Sequence, residues 1–277
     1  MLGRRRALAL FAAAALAPHA ARAAAPRLAI VDWAVLETAL ALGIAPVAAA
    51  ELRQYRALVG AVPRAVADLG LRGAPNLEAL AALAPDAILI SAFYERQRAA
   101  LERIAPVRAL SVYADADPWP AAEAVTRDLA ALAGAAARGD AYVAATAAEF
   151  AALRRPGGRP VFAISLGDGQ HFRAFGRDSM LGAALARLGR RNAWDRPTRY
   201  SAAAPLGIEA LAREPEAAIA VVGPVPAEAR RTLAEGPVWR ALPAVAAGRV
   251  AVLPPVNHYG GLPAARRFAR LLAAADV

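Results

Sequence analysis

The stretch LEALAALAPDAILI, residues 77–90, predicts a short helix followed by a proline, an acid and a buried strand. A related stretch, IEALAREPEAAIAV, occupies residues 208–221 and has one residue fewer before its proline. The repeat predicts two similar lobes. It also places Glu78 and Glu209 at equivalent positions in a first helical turn, where a carboxylate stabilises the helix by about 0.3 to 1 kcal/mol.

Strand and helix patterns alternate on both sides of one long helical pattern, residues 141–155, which predicts an α/β protein with mostly parallel, Rossmann-like sheets. The predicted strands are residues 27–34, 85–91, 161–166, 217–222 and 249–254, and the predicted helices include 35–43, 179–189 and 262–275. The chain is therefore divided into an N-terminal lobe at residues 24–137, a linking helix at 138–157 and a C-terminal lobe at 158–277.

The first 23 residues have the pattern of a signal peptide. Three arginines at residues 4–6 precede an apolar run at 7–17, and small residues follow at 21–25. The apolar run is too short to span a bilayer. We expect export by the Sec or the twin-arginine route and release of a soluble periplasmic protein that is not embedded in the membrane.

Composition excludes several kinds of chemistry. All 33 basic residues are arginine, and neither lysine nor cysteine occurs, so the chain cannot form a lysine Schiff base, a P-loop lysine contact or a thiolate metal site. The net charge of +10 is dispersed rather than clustered, which disfavours nucleic-acid binding. No hydrolase, zinc-protease or dinucleotide-binding motif is present, so we do not expect an enzyme.

Arg72 lies in the segment DLGLRGAPNLEAL, residues 68–80, ahead of a helix for which Asn76 is the predicted N-cap. Loops at the carboxyl ends of strands are where α/β proteins usually bind ligands. From these residues alone, Arg72 can face either a cleft or water.

Five ordered blocks carry a resemblance to a known family. They are RLAIVDWAVLETALALGIAPVAAAE (27–51), YRALV (55–59), DLGLRGAPNLEALAALAPDAILIS (68–91), FGRDSMLGAALARLGRRNAW (175–194) and YGGLPAARRF (259–268). Together they resemble the periplasmic iron-siderophore-binding proteins of ABC importers, particularly the ferric-hydroxamate binders. The resemblance implies two lobes joined by one rigid helix. It also implies a monomer that captures a ferric siderophore between the lobes and delivers it to a permease dimer, with no cofactor and with the iron held by the siderophore.

The resemblance also implies roles for individual residues. Arg72 would donate hydrogen bonds to the iron-chelating oxygens, and Tyr94 and Tyr259 would contact the same ligand. Glu78 and Glu209 match the family's pair of glutamates that dock onto arginines of the two permease subunits, so a twofold partner would explain the repeat.

The chain departs from the family at three positions, because Leu58, Ser201 and Asn257 replace tryptophans that pack the ligand. We therefore expect a more polar pocket and a smaller or more hydrophilic siderophore. His258 can add a polar contact there.

His171 and Arg173 can also add polar contacts, or they can face water on a hairpin. We expect Trp33 and Trp194 to pack in the core rather than contact ligand, and Trp119 to lie at the surface or at a hinge. A haem- or cobalamin-binding protein of the same transporter class is the open alternative, because Tyr94, Tyr259 or His258 could serve as a haem ligand.

Overall fold

The computed structural model describes residues 25–113, 117–167, 170–198 and 204–275. Over these residues the chain forms two five-stranded sheets, and the prediction of two α/β lobes is confirmed. The strands of the first lobe are β1 (Leu28–Ile30), β2 (Ala48–Ala49), β3 (Ala67–Asp68), β4 (Ala87–Ile90) and β5 (Val107–Ala109). Those of the second lobe are β6 (Val161–Leu166), β7 (His171–Ala174), β8 (Ala204–Gly207), β9 (Ala218–Val222) and β10 (Val250–Leu253).

The helices pack around these sheets. They are α1 (Trp33–Ala41), α2 (Leu52–Leu58), α3 (Leu77–Ala82), α4 (Arg98–Leu101), α5 (Pro118–Leu132), α6 (Ala136–Leu153), α7 (Met180–Arg187), α8 (Ala227–Glu235), α9 (Pro237–Ala241), α10 (Pro243–Ala246) and α11 (Leu262–Ala275). Two 3₁₀ helices cover Ala92–Gln97 and Ile208–Arg213.

The first sheet is entirely parallel, with strand order β3-β2-β1-β4-β5. The second has the order β10-β9-β6-β7-β8, in which β7 and β8 pair antiparallel to their neighbours. This arrangement puts the carboxyl ends of the parallel strands at one edge of each sheet, which is where α/β proteins form their clefts.

Three local predictions are corrected. The predicted strand at residues 27–34 ends early, because Asp32 caps α1 and Trp33 already belongs to that helix. The second copy of the repeat forms a 3₁₀ helix, whereas the first copy forms α3. The long helical pattern is α6, which runs from Ala136 to Leu153; the division of the chain into lobes at its ends stays a prediction.

The largest apolar core joins the two lobes. It contains Ile30 of the first sheet and Ala163 of the second, and it is closed by α5, α6, α7 and α11. Further clusters lie behind each sheet. Because both lobes contribute side chains to this one close-packed core, the core holds the two walls of the cleft in a fixed relation.

Trp119 belongs to that shared core, so its predicted place at the surface is wrong. The residue is only 5% exposed, and its ring packs edge-on against Phe150 at 4.8 Å between ring centroids. The guanidinium of Arg187 lies 4.2 Å from the Trp119 ring centroid. The side chain thus ties α5 to α6 and α7, well away from solvent.

Candidate functional site: the cleft between the lobes

A cavity of about 670 Å³ lies between the lobes, and most residues of its first wall lie in segments that follow strands. Asp32 and Trp33 follow β1, Arg72 follows β3, residues 91–94 follow β4, and residues 111–113 follow β5. Successive parallel strands deliver these side chains to one edge of the sheet, although they are distant in sequence.

Arg72 is held in place on this first wall. Its Nε donates a hydrogen bond to Oε2 of Glu51 at 2.6 Å, and its guanidinium carbon lies 3.9 Å from the ring centroid of Trp33. Its backbone carbonyl accepts a hydrogen bond from Gln97. Glu51 engages only the Nε, so the terminal nitrogens remain able to donate to a ligand or to the neighbouring Tyr94 hydroxyl.

Glu51 adopts a left-handed backbone conformation, with φ at +53°, which costs a non-glycine residue about 1 kcal/mol or more. Its amide donates to the Gly70 carbonyl at 2.6 Å, and its side chain caps no helix amide although it precedes α2. The carboxylate is used by Arg72 instead. Strain of this kind is typical of functional sites, and no sequence pattern marks it beforehand.

A buried carboxylate lies beside the arginine. Asp32 accepts hydrogen bonds from the amides of Ala34 and Val35 and from the Ser91 hydroxyl at 2.8 Å. Burial raises the pKa of Asp32, while those hydrogen bonds and the charge of Arg72 oppose the rise. Its oxygens already serve α1 and Ser91, so Asp32 shapes the wall more than it attracts a cation.

The second wall is formed by Arg173 on β7, by Pro224 after β9, and by the loop after β10, which carries Asn257, His258 and Tyr259. The His258 Nε2 is buried and has no hydrogen-bond partner among the described residues. Burial, and then the charge of Arg173, lower the pKa of His258 to about 4, so the imidazole is neutral at neutral pH.

Two hydrogen bonds join the walls at the base of the cleft. The Asn257 side-chain amide donates to the Glu37 carboxylate on α1 at 3.0 Å, and the Tyr113 hydroxyl donates to the Gly260 carbonyl at 3.0 Å. A Cβ at residue 260 would lie 2.4 Å from Glu37 Oε2, so only glycine permits this approach. Burial raises the pKa of Glu37 to about 7.

The predicted docking glutamates are both exposed, and each lies in the first turn of a short helix. Glu78 is in α3, where Asn76 caps the helix by accepting a hydrogen bond from the Ala79 amide as predicted. Glu209 is in the 3₁₀ helix Ile208–Arg213. One carboxylate is thus available on each lobe.

The described residues contain no group of three or more His, Cys, Asp or Glu side chains that could hold a metal ion. Within the same residues, no helix has the length and apolar character needed to cross a membrane. The described residues that line the cleft offer hydrogen-bond donors and aromatic surface to a ligand.

The sequence matches the family model described as periplasmic binding protein over residues 28–256. The chain belongs to the periplasmic binding protein family. A curated relative, the iron(3+)-hydroxamate-binding protein FhuD of Escherichia coli (strain K12), is 30% identical over 287 residues, which cover 98% of this chain and 96% of the relative.

Solved structures extend the similarity of this periplasmic binding protein. The Fe³⁺–Desferal-bound siderophore-binding protein FhuD from Vibrio cholerae matches with a TM-score of 0.84 and 30% identity, covering 90% of this chain and 97% of that chain. The triscatecholate siderophore-binding protein FeuA from Bacillus subtilis has the same fold at 18% identity, with a TM-score of 0.73 and coverage of 90% and 92%.

The cavity of the periplasmic binding protein brings together most of the predicted ligand residues. The predicted ligand residues that line it are Arg72, Tyr94, Tyr259, His258 and Leu58. Their contact with ligand stays a prediction.

Asn257 also lines the cavity, but its side-chain amide donates to Glu37 and its carbonyl oxygen accepts from the Tyr259 amide at 3.3 Å. Asn257 therefore positions the loop more than it offers free polar atoms. Ser201 lies outside the described residues.

The expectation that Trp33 packs in the core is confirmed, and its lack of ligand contact stays a prediction. The side chain is 7% exposed and packs edge-on against Tyr55, yet it also lines the cavity beneath Arg72. Phe93 and Tyr113 line the cavity too, so the cavity has aromatic surface from both lobes together with Tyr94 and Tyr259.

The hairpin prediction for β6 and β7 is confirmed, and Arg173 lines the cavity, whereas His171 is exposed and is not among the residues that line it. Trp194 packs against the core behind the second sheet, as expected. The sequence pattern missed Glu51 and Asp32. Only their position directly after buried strand stretches could have indicated them.

Proposed function

We propose that this periplasmic binding protein captures a ferric siderophore of the hydroxamate class in its cleft and delivers it to an ABC permease. The observation that carries this proposal is Arg72, clasped by Glu51 and stacked on Trp33 at the cavity wall. A ferric chelate presents a fan of partly negative oxygens, and a fixed guanidinium offers donors of matching geometry.

The two FhuD proteins support the hydroxamate class, since both are 30% identical to this chain and one was solved with Fe³⁺–Desferal bound. The binding protein would act by capture and release without catalysis. The iron would stay within the chelate, and one chain would supply both walls, so a monomer suffices. We place the mature protein in the periplasm, after removal of residues 1–23.

The test is a titration of the mature protein that is monitored by the quenching of tryptophan fluorescence. Trp33 lines the cavity and contributes to this signal. The ligands are ferrioxamine B, a ferric tricatecholate, haem and cobalamin. We expect saturable binding of ferrioxamine B with the highest affinity. Tighter binding of haem, seen as a new visible absorption band of an axially ligated haem, or tighter binding of cobalamin would overturn the proposal.

Docking on the permease would use Glu78 and Glu209, each presented by one lobe to one half of a twofold partner. Replacing both by arginine is expected to abolish siderophore-dependent growth or uptake while leaving chelate affinity in solution unchanged. Exchange of Glu216 and Glu228, which lie on the same lobe as Glu209, for arginine is the control for added positive charge. Lost chelate binding in the Glu78/Glu209 variant would show that the pair is structural.

A further inference from the structure

The second wall carries an arginine whose charge no described residue balances. Arg173 lies on β7, paired between Ser165 of β6 and Pro205 of β8. Its neighbours Phe172 and Ala174 are buried on the opposite face, as the alternation of a strand requires. The guanidinium is thus presented to the cavity from a strand inside the sheet, not from a loose loop.

The charges around the cavity are unequal on the two walls. On the first wall, Arg72 is paired with Glu51 and lies near Asp32. On the second wall, Arg173 makes no hydrogen bond or ion pair with another described side chain, and no described acid on that wall lines the cavity. The adjacent His258 is neutral, in part because Arg173 is near. Counted over its described residues, the second wall therefore has a net positive charge.

A neutral ligand would leave that charge without compensation. A ferric tris-hydroxamate centre is neutral, since three singly charged hydroxamates balance Fe³⁺, and Arg72 can already hydrogen-bond to its polarised oxygens. Covering Arg173 with such a ligand would remove water from a cation and return no opposite charge, which is unfavourable. A negative group on the ligand's periphery would remove this cost and add a charge-assisted hydrogen bond.

Building on the proposed function, we propose that Arg173 makes the cleft selective for ferric chelates that carry a negatively charged arm, such as a free carboxylate, outside the metal centre. Arg72 then recognises the iron-chelating oxygens, and Arg173 recognises the arm. The imidazole of His258 lies near Arg173 and is neutral, so it adds no charge of its own to the recognition of the arm.

Three chelates with one metal centre test this selectivity. Ferrioxamine B has a cationic ammonium arm, its N-acetyl derivative a neutral arm, and its N-succinyl derivative a carboxylate arm. We expect the affinity of the wild-type protein to rise in that order, with the succinyl form bound at least about tenfold more tightly than the ammonium form, as expected for one charge-assisted contact. In Arg173→Gln the three affinities should converge.

Arg231→Gln is the matched control, because it removes the same charge from an exposed position on α8 of the same lobe. It should keep the wild-type order. Equal binding of the three chelates by the wild type, or an unchanged order in Arg173→Gln, would overturn the role of Arg173 while leaving the proposed function intact. Failure of all three to bind would instead overturn the proposed function.

Discussion

The first-lobe wall holds Arg72 between a carboxylate and an indole ring. On the second-lobe wall, the Arg173 guanidinium has no ion pair and the His258 Nε2 has no hydrogen-bond partner among the described residues. The first arrangement fixes a donor before any ligand arrives, which lowers the entropy lost on binding. The second keeps a charge that no described residue compensates, near a neutral imidazole. The cleft thus combines two kinds of contact. Arg72 is preorganised for the metal-centre oxygens that all the chelates share, and Arg173 is free to discriminate among their arms.

The largest expected effect concerns the first wall. Arg72→Ala should weaken binding of all three ferrioxamine derivatives to a similar extent, by about 1.5 to 3 kcal/mol, because a charged hydrogen bond to the metal-centre oxygens is lost. Fluorescence titration measures this, and Arg56→Ala, at an exposed position of α2, is the control. A loss confined to the carboxylate-bearing chelate would show that Arg72, and not Arg173, recognises the arm.

The second prediction concerns the contact that joins the walls. Burial raises the pKa of Glu37 to about 7, above its unfolded value, so folding holds this proton more tightly and wild-type stability is lost as pH rises from about 4.5 through 7. Glu37→Gln keeps an acceptor for Asn257 and has no such titration. Relative to wild type, its free energy of unfolding should rise by about 2 kcal/mol between pH 5.5 and pH 8.

Urea unfolding at the two pH values measures that difference. Glu149→Gln, which removes an acid paired with Arg266 and Arg270, is a useful comparison because the pKa of Glu149 is lowered instead of raised. A Glu37→Gln variant whose relative stability falls with pH would contradict a carboxyl that is protonated in the folded state.

The smallest expected effect concerns His258 on the second wall, and its dependence on pH is opposite to that of Glu37. The pKa of His258 is lowered to about 4, below its unfolded value, so the wild type loses stability as pH falls from 6.5 toward 4. His258→Phe removes this titration. Relative to wild type, the variant should gain about 1 kcal/mol in unfolding free energy between pH 8 and pH 5.5.

The same urea series detects this change, and the variant is compared with His171→Phe on the exposed hairpin strand. A difference that does not vary with pH would mean that His258 titrates alike in the folded and unfolded chains. Together, the two pH series distinguish the titration of Glu37, at the contact between the walls, from the titration of His258 on the second wall.

Sequence patterns predicted much of the fold because helices and strands follow from local hydrophobic periodicity and from the residues that begin and end them. The predicted strand at residues 161–166 and the predicted helix at 262–275 match β6 and α11. Asn76 caps α3 because a short side chain in that position reaches the helix amides regardless of distant contacts. The second copy of the repeat became a 3₁₀ helix because tertiary packing overrides weak local preference in so short a segment.

The candidate site was only partly predictable. Arg72, Tyr94 and Tyr259 followed from the resemblance, and all three line the cavity. Glu51, Asp32 and the ligand-facing side of Trp33 did not follow, because their roles depend on which strand ends become neighbours. A glutamate in a left-handed conformation has no signature in the sequence itself.

The sequence alone determined two α/β lobes, an arginine ahead of α3 and a pair of equivalent first-turn glutamates, because these features depend on the order and spacing of residues along the chain. The tertiary structure decided that Arg72 is clasped and Arg173 is not, and that Glu37 and Asn257 meet from 220 residues apart. Pairing and burial depend on contacts between distant segments, and these exist only once both sheets have packed on their shared core.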